Sequence, residues 1–242
     1  MITERQKIRR QKTIEKLKKL DITYNENLSH IEASEEIKLK SIDDICKRIF
    51  ASFCAIQVAC DINQGNDYEE SVKFFKDLLK KFNVQNCLIS KEKRVFDGTY
   101  TAQDAIDLDW EYETMWALMW AVNLVSDISN GAELCDCEGV IRFIVNNKSI
   151  DDLKAKCKLR DVEEILDMLD LYYMYHWAIV EYRINRDYVL ITNNEVKPIN
   201  TNLVNKDIKI ADLNSSNVIE RRRGLEWLIS EENDWYNIEL HT

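Results

Sequence analysis

Proline occurs once in this sequence, at Pro198, and glycine five times in 242 residues. Sheets and tight turns use both as punctuation, whereas helix interiors tolerate neither. Their scarcity excludes collagen-like and all-β chains and points to long helices joined by short connections. Long apolar runs are also missing. The longest uncharged one, "TMWALMWAVNLVS" at 114–126, falls short of the roughly 20 residues that cross a bilayer. No apolar segment follows the basic N-terminus, so no secretory leader is expected. There is no Gly-rich phosphate loop, no Gly-x-Ser-x-Gly elbow and no His-Glu-x-x-His. The seven cysteines stand at 46, 54, 60, 87, 135, 137 and 157. Their odd number and irregular spacing make no disulfide framework, which suits reduced thiols in a cytoplasm. Cys135-Asp136-Cys137 is a lone Cys-x-Cys where structural zinc wants four ligands. Neither metal nor cofactor is therefore expected.

Apolar residues make up 45% of the chain, enough to bury a core. The net charge of −10 is unevenly spread. Residues 1–19 carry eight Lys/Arg against Glu4 and Glu15, a local +6 that leaves −16 on the remainder. An acidic body disfavours nucleic acid. No aromatic interleaves the N-terminal cations to stack on bases, so they are expected on a solvated helix, paired with the acidic body.

The spacing predicts a mainly α, compact multi-helix domain over 1–242, with about seven or eight helices and at most a short β-hairpin. Thr3 with Gln6 forms a capping box for a basic helix to about Leu20. Ser41 and Asp44 cap a second helix to about Cys60, Asp67 caps a third, and Thr101 caps a fourth that reaches about Val125. "VQNCLIS" and "KRVF", within 84–96, read as the hairpin strands. "CEGVIRFIVNN" reads as a short helix. Ser149 and Asp152 cap another. A long helix opens at Asp161 and ends near Asn185, an irregular segment covers 186–214, and a final helix starts near Asn217.

On the long helix, "DLYYMYHWAIVEYRI" (170–184) mixes Asp170, His176, Glu181 and Arg183 among large apolar residues. A helix that is apolar nearly all round is buried on most sides. Its polar groups then need partners, because an unpaired one costs kilocalories. "DWEYETMWALMW" offers Asp109 and Glu113, and "NVIERRRGLEWL" offers Glu220, Arg221, Arg222 and Arg223. These three helices are expected to pack together, with Arg221 or Arg222 bridging Glu113, Asp170 or Glu181.

Three stretches also match a known pattern. "WEYETMWALMWAV" is similar to Trp-x-x-Glu…Leu-Trp-Ala-Leu, and "DLYYMYHWAIVEYRIN" to Asp-Leu-x-Tyr-Arg-x-His-Trp-Ala…Ala-Arg. "IERRRGLEWLISEENDWYNIELHT" is similar to Glu-Arg-His-x-Ala-Leu-Asn-Trp-Leu…Trp-Asp-x-Val…Asp-Thr. Together they resemble the bacterial domain-of-unknown-function family 4272. The resemblance implies a bacterial, cytosolic, mainly helical protein with no assigned reaction. It marks Glu113, Asp170, His176, Arg183, Glu220, Arg221, Trp227 and Trp235 as recurrent positions. Met174 departs from the pattern, standing where the family has Arg. So does Glu226, where the family often has Asn, and Asn237 and His241 dilute the family's acidic tail.

Two function classes follow. One is a non-enzymatic, acidic protein-interaction module, adaptor or immunity-like, with a protein partner. The other is a small-ligand-binding protein or hydrolase-like enzyme with its pocket between the three polar helices. Glu113 and His176 would then be acid–base candidates, and Asp170, Glu181, Arg183, Glu220, Arg221 and Arg222 would hold a small anionic ligand.

Overall fold

The computed structural model of the chain describes residues 2–191 and 208–242. Nine α-helices lie among them: α1 Glu4–Lys19, α2 Ile42–Gln64, α3 Tyr68–Lys81, α4 Ser90–Asp97, α5 Ala102–Ala121, α6 Cys137–Val145, α7 Ile150–Lys154, α8 Val162–Ile191 and α9 Ser215–Ile229. The capping residues act as their chemistry dictates. Thr3/Gln6, Ser41/Asp44 and Thr101/Asp104 form reciprocal capping boxes, and Asp67, Asp136, Ser149 and Asn214 each accept a first-turn N–H. Gly65 ends α2 in the left-handed region at φ 73°, where glycine carries no Cβ penalty.

The expected hairpin at 84–96 is instead a 3-10 turn, Gln85–Cys87, followed by α4. Among the described residues there is no strand. The reason is tertiary. Glu92 is fully buried and serves three partners from α4's first turn, the Ser52 hydroxyl at 3.2 Å among them. It accepts the Ile89 N–H at 2.8 Å, closing the helix start, and it pairs with Arg48 of α2. Val95 and Phe96 enter the core one turn later. The long helix also overruns its expected end, reaching Ile191 rather than Asn185. Of the irregular segment 186–214, residues 192–207 and the Pro198 within them lie outside the described residues.

The helices stack in sequence: α1 on α8, α8 on α9, α9 on α5, and α5 on α2, with α3 and α7 also packed on α2 and α4 on both α2 and α5. One continuous hydrophobic cluster runs through the stack. The α5–α9 contact is close because residue 224 is glycine. A Cβ there would lie 2.7 Å from the Thr114 carbonyl oxygen.

Candidate functional site

The three polar helices do pack together, and their ionisable groups divide into separate centres. At the deepest, Arg221 Nε donates to Glu113 Oε2 at 2.8 Å. Nη1 donates to the carbonyls of Ile128 and Asn130 and to Tyr172 Oη, and Nη2 to the Glu133 carbonyl. Glu113's other oxygen accepts the Cys135 N–H at 2.8 Å. Arg221 and Glu113 are each 2% exposed. One guanidinium thus uses its whole donor fork to tie α9 to α5, α8 and the 128–135 loop.

His176, also buried, faces Arg222, whose Nη1 lies 2.8 Å from Nδ1. A guanidinium can only donate, so Nδ1 is the acceptor and the ring is the neutral Nε2–H tautomer. Burial, reinforced by Arg222, Arg183 and Arg223, holds the imidazole pKa down at about 4. Arg222 also bonds Glu226 and the His241 carbonyl and covers the Tyr173 ring. Glu220 pairs with its neighbour Arg223 and accepts from Thr114.

Asp170 goes elsewhere. It is 1% exposed and grips Arg10 of α1, with Nη2 2.8 Å from Oδ1. Arg9 and Arg5 meet Glu163, and Lys12 meets Asp167. The basic N-terminal helix is therefore clamped along an acidic stripe of α8, with Arg9 and Arg10 buried. Against burial, hydrogen bonds from Ser34, Arg5 and Arg9 hold the Glu163 carboxyl down at about 2. Arg183 is exposed, and Glu181 lines a separate cleft with Trp177 and residues 23–27. Among the described residues neither bonds into the network, although the charge of Arg183 reaches His176.

Besides Asp104, which caps α5 and pairs with Arg94, two buried carboxylates escaped sequence reasoning. Glu111, on α5, accepts from Tyr236 Oη at 2.7 Å and Trp235 Nε1 at 3.4 Å. Complete burial, with the Glu92 carboxylate nearby, pushes its pKa well above the usual range. Glu92 is the second. Its carboxylate meets Arg48, which also bonds Ser52 and the Cys87 carbonyl and stacks on the Trp235 ring, 4.9 Å from its centroid. A buried Glu on a short helix carries no sequence signal beyond its capping position.

Arg48 also forms the back wall of an open cleft of about 650 Å³. Lys40, Lys47 and Lys93 line the same cleft, with Asp44, Asp234 and Trp227. Lys40 reaches the Glu232 carbonyl at 2.9 Å and lies over the Trp227 ring. Lys47 pairs with Asp43 outside the lining. Lys93 has no ion-pair partner among the described residues and is exposed. Asp234 accepts the Ser90 N–H at 2.9 Å at the start of α4. Four cations and two carboxylates line it; of the cations, Arg48 is paired behind the lining with Glu92 and Lys47 beside it with Asp43. Glu113, His176 and Arg221 line none of the five clefts described.

A core of ion-paired helices, closed by a Trp-Tyr turn after the last of them, is the frame on which the sequence motifs sit. The chain belongs to the family described as Domain of unknown function (DUF4272), whose model matches residues 9–238. No curated protein and no solved structure matches the chain. Among the described residues, no helix is long and apolar enough to cross a membrane. Nor, among them, are three or more His, Cys, Asp or Glu side chains grouped to hold a metal ion.

Proposed function

We propose that this chain is a non-catalytic binding module of the cytoplasm that recognises a small anionic ligand in the Lys40–Lys47–Arg48–Lys93 cleft. The observation that carries this reading is the concentration of four cations around a cleft of about 650 Å³. That volume falls in the range of small-molecule sites, roughly 300–1,000 Å³. Low-dielectric walls lined by one sign of charge raise the local concentration of the opposite ion. Arg48 is 3% exposed, and Glu92 and Ser52 fix its orientation, so it offers a rigid edge. Lys93 adds an exposed charge and Lys47 a charge shared with Asp43. As an adaptor, the module would read the ligand state out to a protein partner through its acidic surface.

The hydrolase-like alternative needs Glu113 and His176 to face a substrate. Glu113 is bonded on both oxygens, and the His176 nitrogen that would act as base is held by Arg222. Both therefore serve the fold in this reading.

Thermal-shift measurements with inorganic phosphate, pyrophosphate and citrate test the proposal. The expected result is a rise in Tm with at least one anion, weakening with added salt and abolished in Lys93→Glu and Lys47→Glu. No shift with any of the three, or a shift that survives both charge reversals, would overturn it.

A further inference from the structure

All seven cysteines are free thiols, and two pairs of them are in contact. Cys46 and Cys157 have their sulfur atoms 3.5 Å apart, as do Cys135 and Cys137. The two pairs differ. A bond between Cys135 and Cys137 would close a small ring around one residue, and the Cys135 N–H is already held by Glu113. Cys46 and Cys157 are 111 residues apart and impose no such ring. Cys46 is completely buried near the start of α2. Cys157 is half-buried in the turn after α7, and Lys154 pins that turn to Asp43 of α2 at 2.8 Å. From the geometry we infer that Cys46 and Cys157 are a thiol modification site, closing to an intramolecular disulfide when the protein meets a peroxide-class oxidant.

Disulfide bond length is about 2.05 Å, so the sulfurs must close by roughly 1.5 Å. Cys157 can supply this by a side-chain rotation that releases its S–H from the Leu153 carbonyl, 3.2 Å away. The chemistry is divided between the two residues. Cys46 points its S–H at the Cys157 sulfur. That hydrogen bond, against burial and with a smaller contribution from Lys156, favours the Cys157 thiolate, whereas the same contact and burial push the Cys46 thiol up. The thiolate is the nucleophile, and Cys157 is the member that solvent reaches. Its sulfur attacks one peroxide oxygen, forming an S–O bond as the O–O bond breaks, and hydroxide leaves. The resulting sulfenic acid is attacked by the Cys46 sulfur, which gives up its proton. The S–S bond forms, the S–O bond breaks and water leaves. In total two thiols lose two electrons and hydrogen peroxide becomes two waters.

This inference does not rest on any ligand of the cleft, although Asp43 joins the two places, pairing with Lys154 here and with Lys47 at the cleft. The test treats the full chain with stoichiometric hydrogen peroxide, blocks remaining thiols with N-ethylmaleimide, and maps peptides without reduction. The expected product is a Cys46–Cys157 linked peptide that dithiothreitol separates and that Cys157→Ser lacks. The oxidised chain should also melt higher than the reduced one, because a long closed loop constrains the unfolded state. Recovery of Cys157 as sulfinic acid with Cys46 unlinked would overturn the inference. So would a Cys135–Cys137 link formed while Cys46 and Cys157 stay thiols. Cys157→Ser alters a half-exposed turn and should keep the helical circular dichroism of the parent, which separates loss of the bond from loss of the fold.

Discussion

Arg221 and Arg48 are the same device in two settings. Each is a guanidinium 3% exposed or less, paired with a carboxylate that is itself buried. Arg221 spends its fork on Glu113, Tyr172 and three loop carbonyls and lines none of the described clefts. Arg48 is held as firmly by Glu92 and Ser52, but one edge of it forms the wall of a cation-lined cleft. The difference teaches that a buried Arg–carboxylate pair is not in itself a site. Fixed charge becomes recognition only where an open volume meets it.

The largest effect should come from removing either guanidinium. Arg221→Ala leaves Glu113 buried without its cation, which costs about 3–5 kcal/mol and should appear as a large drop in the urea midpoint. Arg48→Ala should lose a comparable amount through Glu92, and anion binding with it. If Arg221→Ala is near neutral, the structural half of the comparison breaks.

Gly224→Ala tests the α5–α9 seam that carries the Glu113–Arg221 pair. The added methyl meets the Thr114 carbonyl at 2.7 Å and Ala117 at 3.2 Å. Overpacking of this kind costs about 1–3 kcal/mol, and the same urea series reads it.

Two pH windows sharpen the picture. Burial and its cationic neighbours depress the His176 pKa to about 4 in the folded chain, below the unfolded value near 6.5. The unfolded state therefore takes up a proton first. The stability this group contributes is present above pH ~6.5 and lost as pH falls towards ~4. His176→Gln should flatten that part of the stability profile. Glu163 has a folded pKa of about 2, depressed by hydrogen bonds from Ser34, Arg5 and Arg9 that outweigh burial. Its contribution persists to about pH 4.5 and is lost as pH falls towards 2. Glu163→Gln should change only this lower window. A single transition unaffected by either variant would contradict the assignments.

The smallest stability effect belongs to the cleft. Lys93→Glu changes an exposed residue on α4 and should shift the urea midpoint by less than about 0.5 kcal/mol. Anion affinity should fall about tenfold or more, at least ~1.4 kcal/mol. This pairing of near-normal stability with lost binding is the reverse of Arg221→Ala.

How much of this was legible in the sequence depends on whether a local cap or a nearly all-apolar helix marks the residue. Caps are local, so Thr3, Ser41, Asp67 and Thr101 announced their helices. The meeting of Glu113 with Arg221 was also within reach, because a nearly all-apolar helix must find partners for its polar groups. The α4 segment misled because its helix rests on Arg48, 44 residues from Glu92. The partner of Asp170 was hidden for the same reason, since Arg10 lies 160 residues away. The cleft was the least legible feature. It is assembled from residues 40–48, 86–93 and 227–234, of which only the last falls in a motif, and that motif does not mark a cleft. Only the fold brings their charges together.

The most direct measurement is a two-dimensional amide and indole NMR titration of the full chain with pyrophosphate. The account predicts shifts confined to the amides of Lys47, Ser90 and Lys93 and the indole of Trp227, with Glu113, Tyr172, His176 and Arg221 unmoved. Shifts centred on α5, α8 and α9 around His176, or none at saturating pyrophosphate, would contradict it.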